Sequence, residues 1–167
     1  MNVEDAIRAR RSIRHYADRP VDRALLERVM KAGIWAPTGS NKQPWVFIAV
    51  TQPDMLHRIR VVSPGMLWEP KALICICSDQ RKAGTFPMGP TLALFDCAMA
   101  AQNMMLVAVE LELGSCVMRS TNMAALREIL DIPDHLQTEL LLMLGYPDAP
   151  APPAPRRDEA VIHWERY

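Results

Sequence analysis

The spacing of apolar and polar residues predicts helices that alternate with buried strands. Asn2, followed by Glu4 and Asp5, predicts a capped helix that runs to about residue 11, with extended chain from Ser12 onward. Apolar residues at helical spacing predict further helices over about 22–35, 53–61, 91–113 and 122–130. Apolar runs of strand length predict strands over 46–51, 72–78, 115–119 and 139–145.

The predicted helix over 91–113 has an unusual composition. Its polar residues Asp96, Asn103 and Glu110 recur every seven positions, and most other positions are Ala, Met, Leu, Val or Cys. A helix that is apolar on nearly all faces must be buried on nearly all faces. One sheet in a chain of this size cannot cover both sides, so we expect a homodimer that buries this helix.

The last twenty-one residues differ in character from the rest. Five prolines lie between Pro147 and Pro155, followed by Arg156, Arg157 and the β-like run AVIHWERY. Prolines at this density favour extended chain that travels along a surface. We therefore divide the sequence into a domain over 1–146 and an extended tail over 147–167 that belongs to the same domain and dimer.

Composition narrows the classes of protein. The chain has 167 residues, 50% of them hydrophobic, which suits one globular domain. Nineteen basic residues balance nineteen acidic ones, so charge gives no support for nucleic-acid or membrane-surface binding. Four cysteines without CxxC spacing and no charge-free apolar stretch of membrane-spanning length predict a cytoplasmic protein with buried thiols and no metal site. Dinucleotide, P-loop and hydrolase motifs do not occur.

Two polar segments carry candidate chemistry. Arg10-Arg11-Ser12-Ile13-Arg14 offers guanidinium groups and a hydroxyl that suit a phosphate or a ring edge with several acceptors. Alternatively, it is the solvated basic end of a helix. The segment from Pro37 to Trp45 combines a small-residue turn with Asn and Gln amides, which can bind the edge of a planar heterocycle. Its alternative is a plain loop between helix and strand.

Together these segments resemble the FMN-dependent nitroreductase family. The resemblance covers almost the full chain: RRSIRHY, APTGSNKQPWVFIAV, FDCAMAAQNMMLVAVELELGSC, LGYP, and a proline-rich tail with two arginines. It implies an α+β fold with a central, mostly antiparallel sheet layered with helices and a C-terminal strand exchanged across a homodimer. It also implies a flavin oxidoreductase that takes hydride from NADH or NADPH and reduces a nitroaromatic, quinone or similar small-molecule acceptor by a ping-pong mechanism.

The resemblance also implies a set of flavin contacts. Arg10 and Ser12, with Arg11 between them, match positions near the phosphate and ribityl chain, and Arg14 matches a cationic position beside the pyrimidine edge. The partner subunit's loop corresponds to Pro37, Thr38, Gly39, Ser40, Asn41 and Gln43. Backbone amides of Gly114, Ser115 and Cys116 match the strip facing flavin N5, and Arg157 or Arg156 matches the phosphate clamp. No side chain is implied as a catalytic acid or base.

Several alternatives stay open. Cys116 suits a packing residue better than a redox partner, because no resolving cysteine is near in sequence. The connections over 63–70 and 79–90 are too short for the lid of larger relatives, so we expect an open pocket. Two interpretations compete with a nitroreductase-like enzyme. One is a specialised dehydrogenase or dehalogenase on the same scaffold, and the other is a flavin-binding protein without turnover.

Overall fold

The computed structural model describes residues 1–84, 87–151, 154–156 and 161–167. Its helices are α1 (Val3–Ala9), α2 (Arg23–Ile34), α3 (Pro53–Val61), α4 (Gln80–Ala83), α5 (Gly89–Glu110) and α6 (Met123–Ile129). Its strands are β1 (Trp45–Val50), β2 (Ala72–Asp79), β3 (Gly114–Met118) and β4 (Leu136–Gly145). Most predicted elements are therefore confirmed, with shifts of a few residues at their ends.

The four strands form one antiparallel sheet in the order β1-β2-β4-β3. All eight residues of β2 are buried, because β2 is paired on both edges and covered on both faces. Alternate residues point to opposite faces. Ile74 and Ile76 therefore pack with α2 and α5, and Leu73 and Cys75 pack with α3 and α6. The predicted α+β fold with an antiparallel sheet is confirmed.

Helix α5 forms the centre of one layer. Its buried residues include Cys97, Met104 and Ala108, and burial of each large apolar side chain contributes about 1.5–3 kcal/mol. Among the described helices, α5 alone has the length and apolar composition of a membrane span, but it is a core helix with a buried carboxylate at Asp96. Its outer side remains exposed at Leu92, Phe95 and Met99. Burial on all sides is thus not achieved within one chain.

The sequence patterns missed one helix. The short helix α4 lies where we expected only connecting chain, and α5 begins at Gly89 rather than at residue 91. The Asp79 carboxylate explains the extra turn, because it accepts a hydrogen bond from the Arg81 backbone N–H at 3.0 Å and pairs with the Arg81 guanidinium at 2.7 Å. The guanidinium holds the pKa of Asp79 at about 2.

The tail is described only in part. Residues 161–167 are exposed and form no strand with the described part of this chain. The predicted strand on a partner subunit stays a prediction. All four cysteines are free and buried, as predicted from their apolar surroundings.

Candidate functional site

The Arg10–Arg14 segment, called the junction below, follows α1 in the chain and is held against β3 by backbone contacts. The backbone N–H of Ile13 donates to the Ser115 carbonyl at 2.9 Å, and Ser12 pairs with Ser115 as an isolated parallel bridge. The close approach of Ile13 to β3 requires glycine at position 114, because a Cβ atom there would lie 2.6 Å from Ile13 Cγ2. The structure thus brings Ser12 together with the predicted strip Gly114–Cys116.

The arginines of this junction have different surroundings. Arg11 folds back on α1, donating to the Arg8 carbonyl at 2.6 Å and the Arg10 carbonyl at 2.8 Å, which favours the helix-end interpretation for this residue. Arg14 makes one long hydrogen bond to the Ser12 carbonyl at 3.4 Å. Within the described ranges, neither Arg10 nor Arg14 has a carboxylate partner, so both cations are available to an anionic ligand.

A cleft of about 580 Å³ opens beside the junction. It is lined by Ser12, Ile13, Arg14, His15, Trp68 and the start of the tail over 148–151. Sequence analysis missed His15 and Trp68, whose ring centroids lie 3.8 Å apart. No local pattern could have paired them, because they are far apart in sequence.

Two buried residues of β3 lie next to Ser12. Burial raises the pKa of the Cys116 thiol, and the nearby Arg14, Ser12 and Arg10 act in the opposite direction. This thiol is 3% exposed, which supports a packing role. The Ser115 hydroxyl is also buried and has no hydrogen-bond partner among the described residues.

The segment Pro37–Gln43 forms a strained, exposed loop ahead of β1. Ser40, Asn41 and Gln43 have φ values of 52°, 53° and 49°, a left-handed backbone that costs non-glycine residues of order 1 kcal/mol or more each. Their side chains are exposed. Strain of this kind persists where surrounding contacts hold it, and it concentrates at ligand sites.

Several hydrogen bonds hold this loop. The Gly39 N–H donates to the buried Asp96 carboxylate on α5 at 3.2 Å, and the Gln43 N–H donates to Thr38 Oγ1 at 3.1 Å. The Gln43 side-chain amide donates to Asn41 Oδ1 at 2.9 Å. Asp96 was visible in the sequence as a polar position in an apolar helix, but its role as the anchor of this loop was not.

One chain does not bring the two predicted segments together. The loop is anchored near the start of α5, and the junction lies just beyond its end. Asp96 and Glu110 are separated by about 21 Å along the axis, at about 1.5 Å per residue. The exposed apolar residues of α5 lie on the same helix that separates them.

Of the two tail arginines that are candidates for binding the phosphate, only Arg156 is among the described residues. Arg156 is exposed and donates to the carbonyls of Ala154 at 3.1 Å and Pro155 at 3.3 Å. Arg157, the alternative phosphate clamp, lies outside the described residues. Across the described ranges, no group of three or more His, Cys, Asp or Glu side chains could hold a metal ion.

The structure combines an antiparallel sheet layered with helices and a cleft lined by Arg14. The Nitroreductase family model matches residues 7–63 and 61–146. The chain belongs to the nitroreductase family.

Individual proteins agree with this assignment. A protein of Methanothermobacter thermautotrophicus, named provisionally as an NADH dehydrogenase/NAD(P)H nitroreductase, is 31% identical over 173 residues, 100% of this chain and 88% of that protein. A crystal structure of a provisionally named nitroreductase from Desulfovibrio desulfuricans in complex with FMN superposes with a TM-score of 0.86 at 26% identity, covering 99% of this chain and 97% of that one. Rat iodotyrosine deiodinase 1 matches over 53 residues at 43% identity, 32% of this chain and 19% of that protein.

The donor groups of this chain fit FMN. A phosphate needs cations and N–H or O–H donors, which Arg10 and Ser12 provide. A ring edge that gains negative charge needs a cation, which Arg14 provides beside the cleft.

Proposed function

We propose that this protein is an FMN-dependent oxidoreductase that takes hydride from NADH or NADPH and reduces a nitroaromatic, quinone or similar acceptor. Family membership supports the reaction class, and the cleft beside Arg14 supports the cofactor. One observation carries the proposal furthest: two groups of residues suited to flavin lie at opposite ends of α5, and α5 exposes apolar side chains beside the loop end.

A homodimer reconciles these positions. If two copies pack with their α5 helices antiparallel, the loop Pro37–Gln43 of one copy faces the junction Arg10–Arg14 of the other. Leu92, Phe95 and Met99 would be covered in that contact, which removes exposed apolar surface from water. The site would then contain residues of both copies, and the tail would reach across to the partner. A reducing, cytoplasmic location agrees with four free thiols.

The residues of this chain would position and stabilise rather than transfer protons. When bound, FMN supplies the hydride chemistry at its ring. Arg10 and Ser12 would hold the phosphate and ribityl chain, and the backbone of Gly114–Cys116 would contribute to the ring site. Arg14 would supply a fixed cation that stabilises negative charge on a reduced ring, because such a cation costs no reorganisation. No side-chain acid or base is required for this reaction.

Cofactor release and steady-state kinetics test the proposal. Heat-denatured protein should release FMN, which chromatography distinguishes from FAD. If donor and acceptor use the same face of the ring in turn, NAD(P)H oxidation with menadione should give parallel double-reciprocal lines. Released FAD would contradict the cofactor assignment, and intersecting lines would contradict the ping-pong mechanism.

Two alternatives remain distinguishable. A flavin-binding protein without turnover would release FMN but oxidise neither nicotinamide with a quinone. A dehalogenase on the same scaffold is favoured by local matches to iodotyrosine deiodinases, the rat protein among them. Turnover of iodotyrosine at a rate above that of menadione would support it.

A further inference from the structure

The connection between α3 and β2 places a tryptophan at the cleft. Ser63–Pro70 is too short to form a helical lid, and its Trp68 lines the cleft together with Ser12 and Arg14. Trp68 is 43% exposed, so part of its indole is accessible to a molecule in the cleft.

This connection is held to the rest of the fold at several points. The Ser63 and Thr121 hydroxyls lie 2.7 Å apart, and the Gly65 N–H donates to the Ser120 carbonyl at 3.3 Å. Met66 is 3% exposed, so its side chain anchors the middle of the segment in the core. Trp68 therefore stands on a fixed support rather than on a free loop.

Contacts on both sides of Trp68 reinforce its position. The Arg60 guanidinium donates to the Leu67 carbonyl at 3.3 Å, and the Glu69 carboxylate lies 3.2 Å from His57 Nδ1. The imidazole of His15 packs against the indole with centroids 3.8 Å apart and planes tilted by 46°. His15 directly follows Arg14, so the tryptophan is coupled to the predicted flavin segment.

We propose that Trp68 forms the aromatic wall of this cleft and stacks on a planar, electron-poor ring bound there. The inference rests on the proposed function, which supplies two such rings: the isoalloxazine of FMN and an aromatic acceptor. An indole is electron-rich, so an offset stack with an electron-poor ring is favourable. Trp68 is then a specificity-determining residue, and the short connection takes over part of the covering role of a lid.

The experiment compares Trp68→Leu with Trp68→Phe and with the control Leu67→Ala. Leu67 lies on the same connection and is 61% exposed, but it does not line the cleft. Apo protein is titrated with FMN to give Kd, and reconstituted enzyme gives KM for menadione and for ferricyanide, which has no aromatic ring. Thermal unfolding confirms that each variant is folded.

Each outcome decides the inference. A rise of about three- to ten-fold in the Kd for FMN in Trp68→Leu, restored in Trp68→Phe, would identify the ring as isoalloxazine. A similar rise confined to the KM for menadione, with ferricyanide unchanged, would identify it as the acceptor. Unchanged values for both, or equal effects in Leu67→Ala, would overturn the inference while leaving the proposed function intact. Wild-type protein that binds no FMN would overturn both.

Discussion

The junction Arg10–Arg14 and the loop Pro37–Gln43 are both suited to flavin, yet they are built in opposite ways. The junction is paired with β3 by backbone contacts and closely packed against Gly114. The loop carries three non-glycine residues in left-handed conformation and exposes its polar side chains. The junction packs against β3 of its own chain. The loop holds the side chains of Ser40, Asn41 and Gln43 exposed, without packing them against the rest of the described chain.

This contrast indicates how the site is assembled. Asp96 and Thr38 hold the loop backbone in a strained conformation. Contacts between the exposed side chains and a ligand would offset the conformational free energy of that strain. Within one chain the anchor of the loop and the end of α5 next to the junction are separated by about 21 Å along the helix axis. The difference therefore supports a site that needs a second copy, and the predictions below test each half of it.

The largest effect should come from breaking the proposed contact between copies. Phe95→Glu places a carboxylate on the exposed apolar face of α5. We expect a monomer of 18.8 kDa by light scattering and at least a 100-fold loss of FMN affinity, because burying an unpaired charge costs several kcal/mol. Val61→Glu is the matched control, since Val61 is 70% exposed on α3, in the other helix layer.

Two results would contradict this prediction. Wild-type protein that scatters as a monomer at micromolar concentration while FMN remains bound would exclude a site shared between copies. A Phe95→Glu variant that stays dimeric would show that another surface makes the contact.

A pair of glycines compares the packing of the two segments directly. Gly114→Ala should reduce the free energy of unfolding by about 1–3 kcal/mol, because the added Cβ lies 2.6 Å from Ile13 Cγ2 in a packed region. Gly39→Ala should change it by less than about 0.5 kcal/mol, because nothing lies within 4 Å of that Cβ. Urea unfolding of the apo protein measures both. Equal effects would mean that the junction and the loop do not differ in packing.

Much of the fold could be predicted from the sequence because periodicity is a local signal. The apolar run of β2 and the cap residue Asn2 predicted their elements within a few residues. Helix α4 was missed because four residues carry no periodicity, and only its cap Asp79 marks it.

The site was predicted less completely than the fold. Resemblance to the family supplied the polar segments, but three of its features arise from long-range contacts. Two of these are contacts, the pairing of His15 with Trp68 and the anchoring of the loop by Asp96. The third is the positive φ of Ser40 in the anchored loop, which a non-glycine residue does not indicate. None of them leaves a pattern in neighbouring residues.

Arg14 tests the electrostatics of the junction. Arg14→Gln removes the cation that favours the reduced ring, so the potential of bound FMN should fall by about 30 mV, equivalent to about 1.4 kcal/mol for two electrons. Oxidised FMN should lose little affinity. Arg11→Gln is the control, because that guanidinium is engaged with the Arg8 and Arg10 carbonyls. Redox titration that finds the same potential in Arg14→Gln and wild type would remove Arg14 from the site.

The smallest effect concerns the anchor of the loop. Burial raises the pKa of the Asp96 carboxyl, and the Gly39 N–H and the charge of Lys42 oppose that rise. A folded-state pKa above the unfolded one means that the native state binds the proton more tightly, so the free energy of unfolding should fall as pH rises through the folded-state pKa. Asp96→Asn keeps an oxygen for the Gly39 N–H and removes the charge. It should remove the pH dependence of the free energy of unfolding in this range while changing that free energy by less than about 1 kcal/mol.

Asp96→Ala removes the acceptor as well and should weaken FMN binding through the loop, leaving the junction unaltered. An identical pH profile in Asp96→Asn and wild type would show that the carboxyl does not titrate differently on folding.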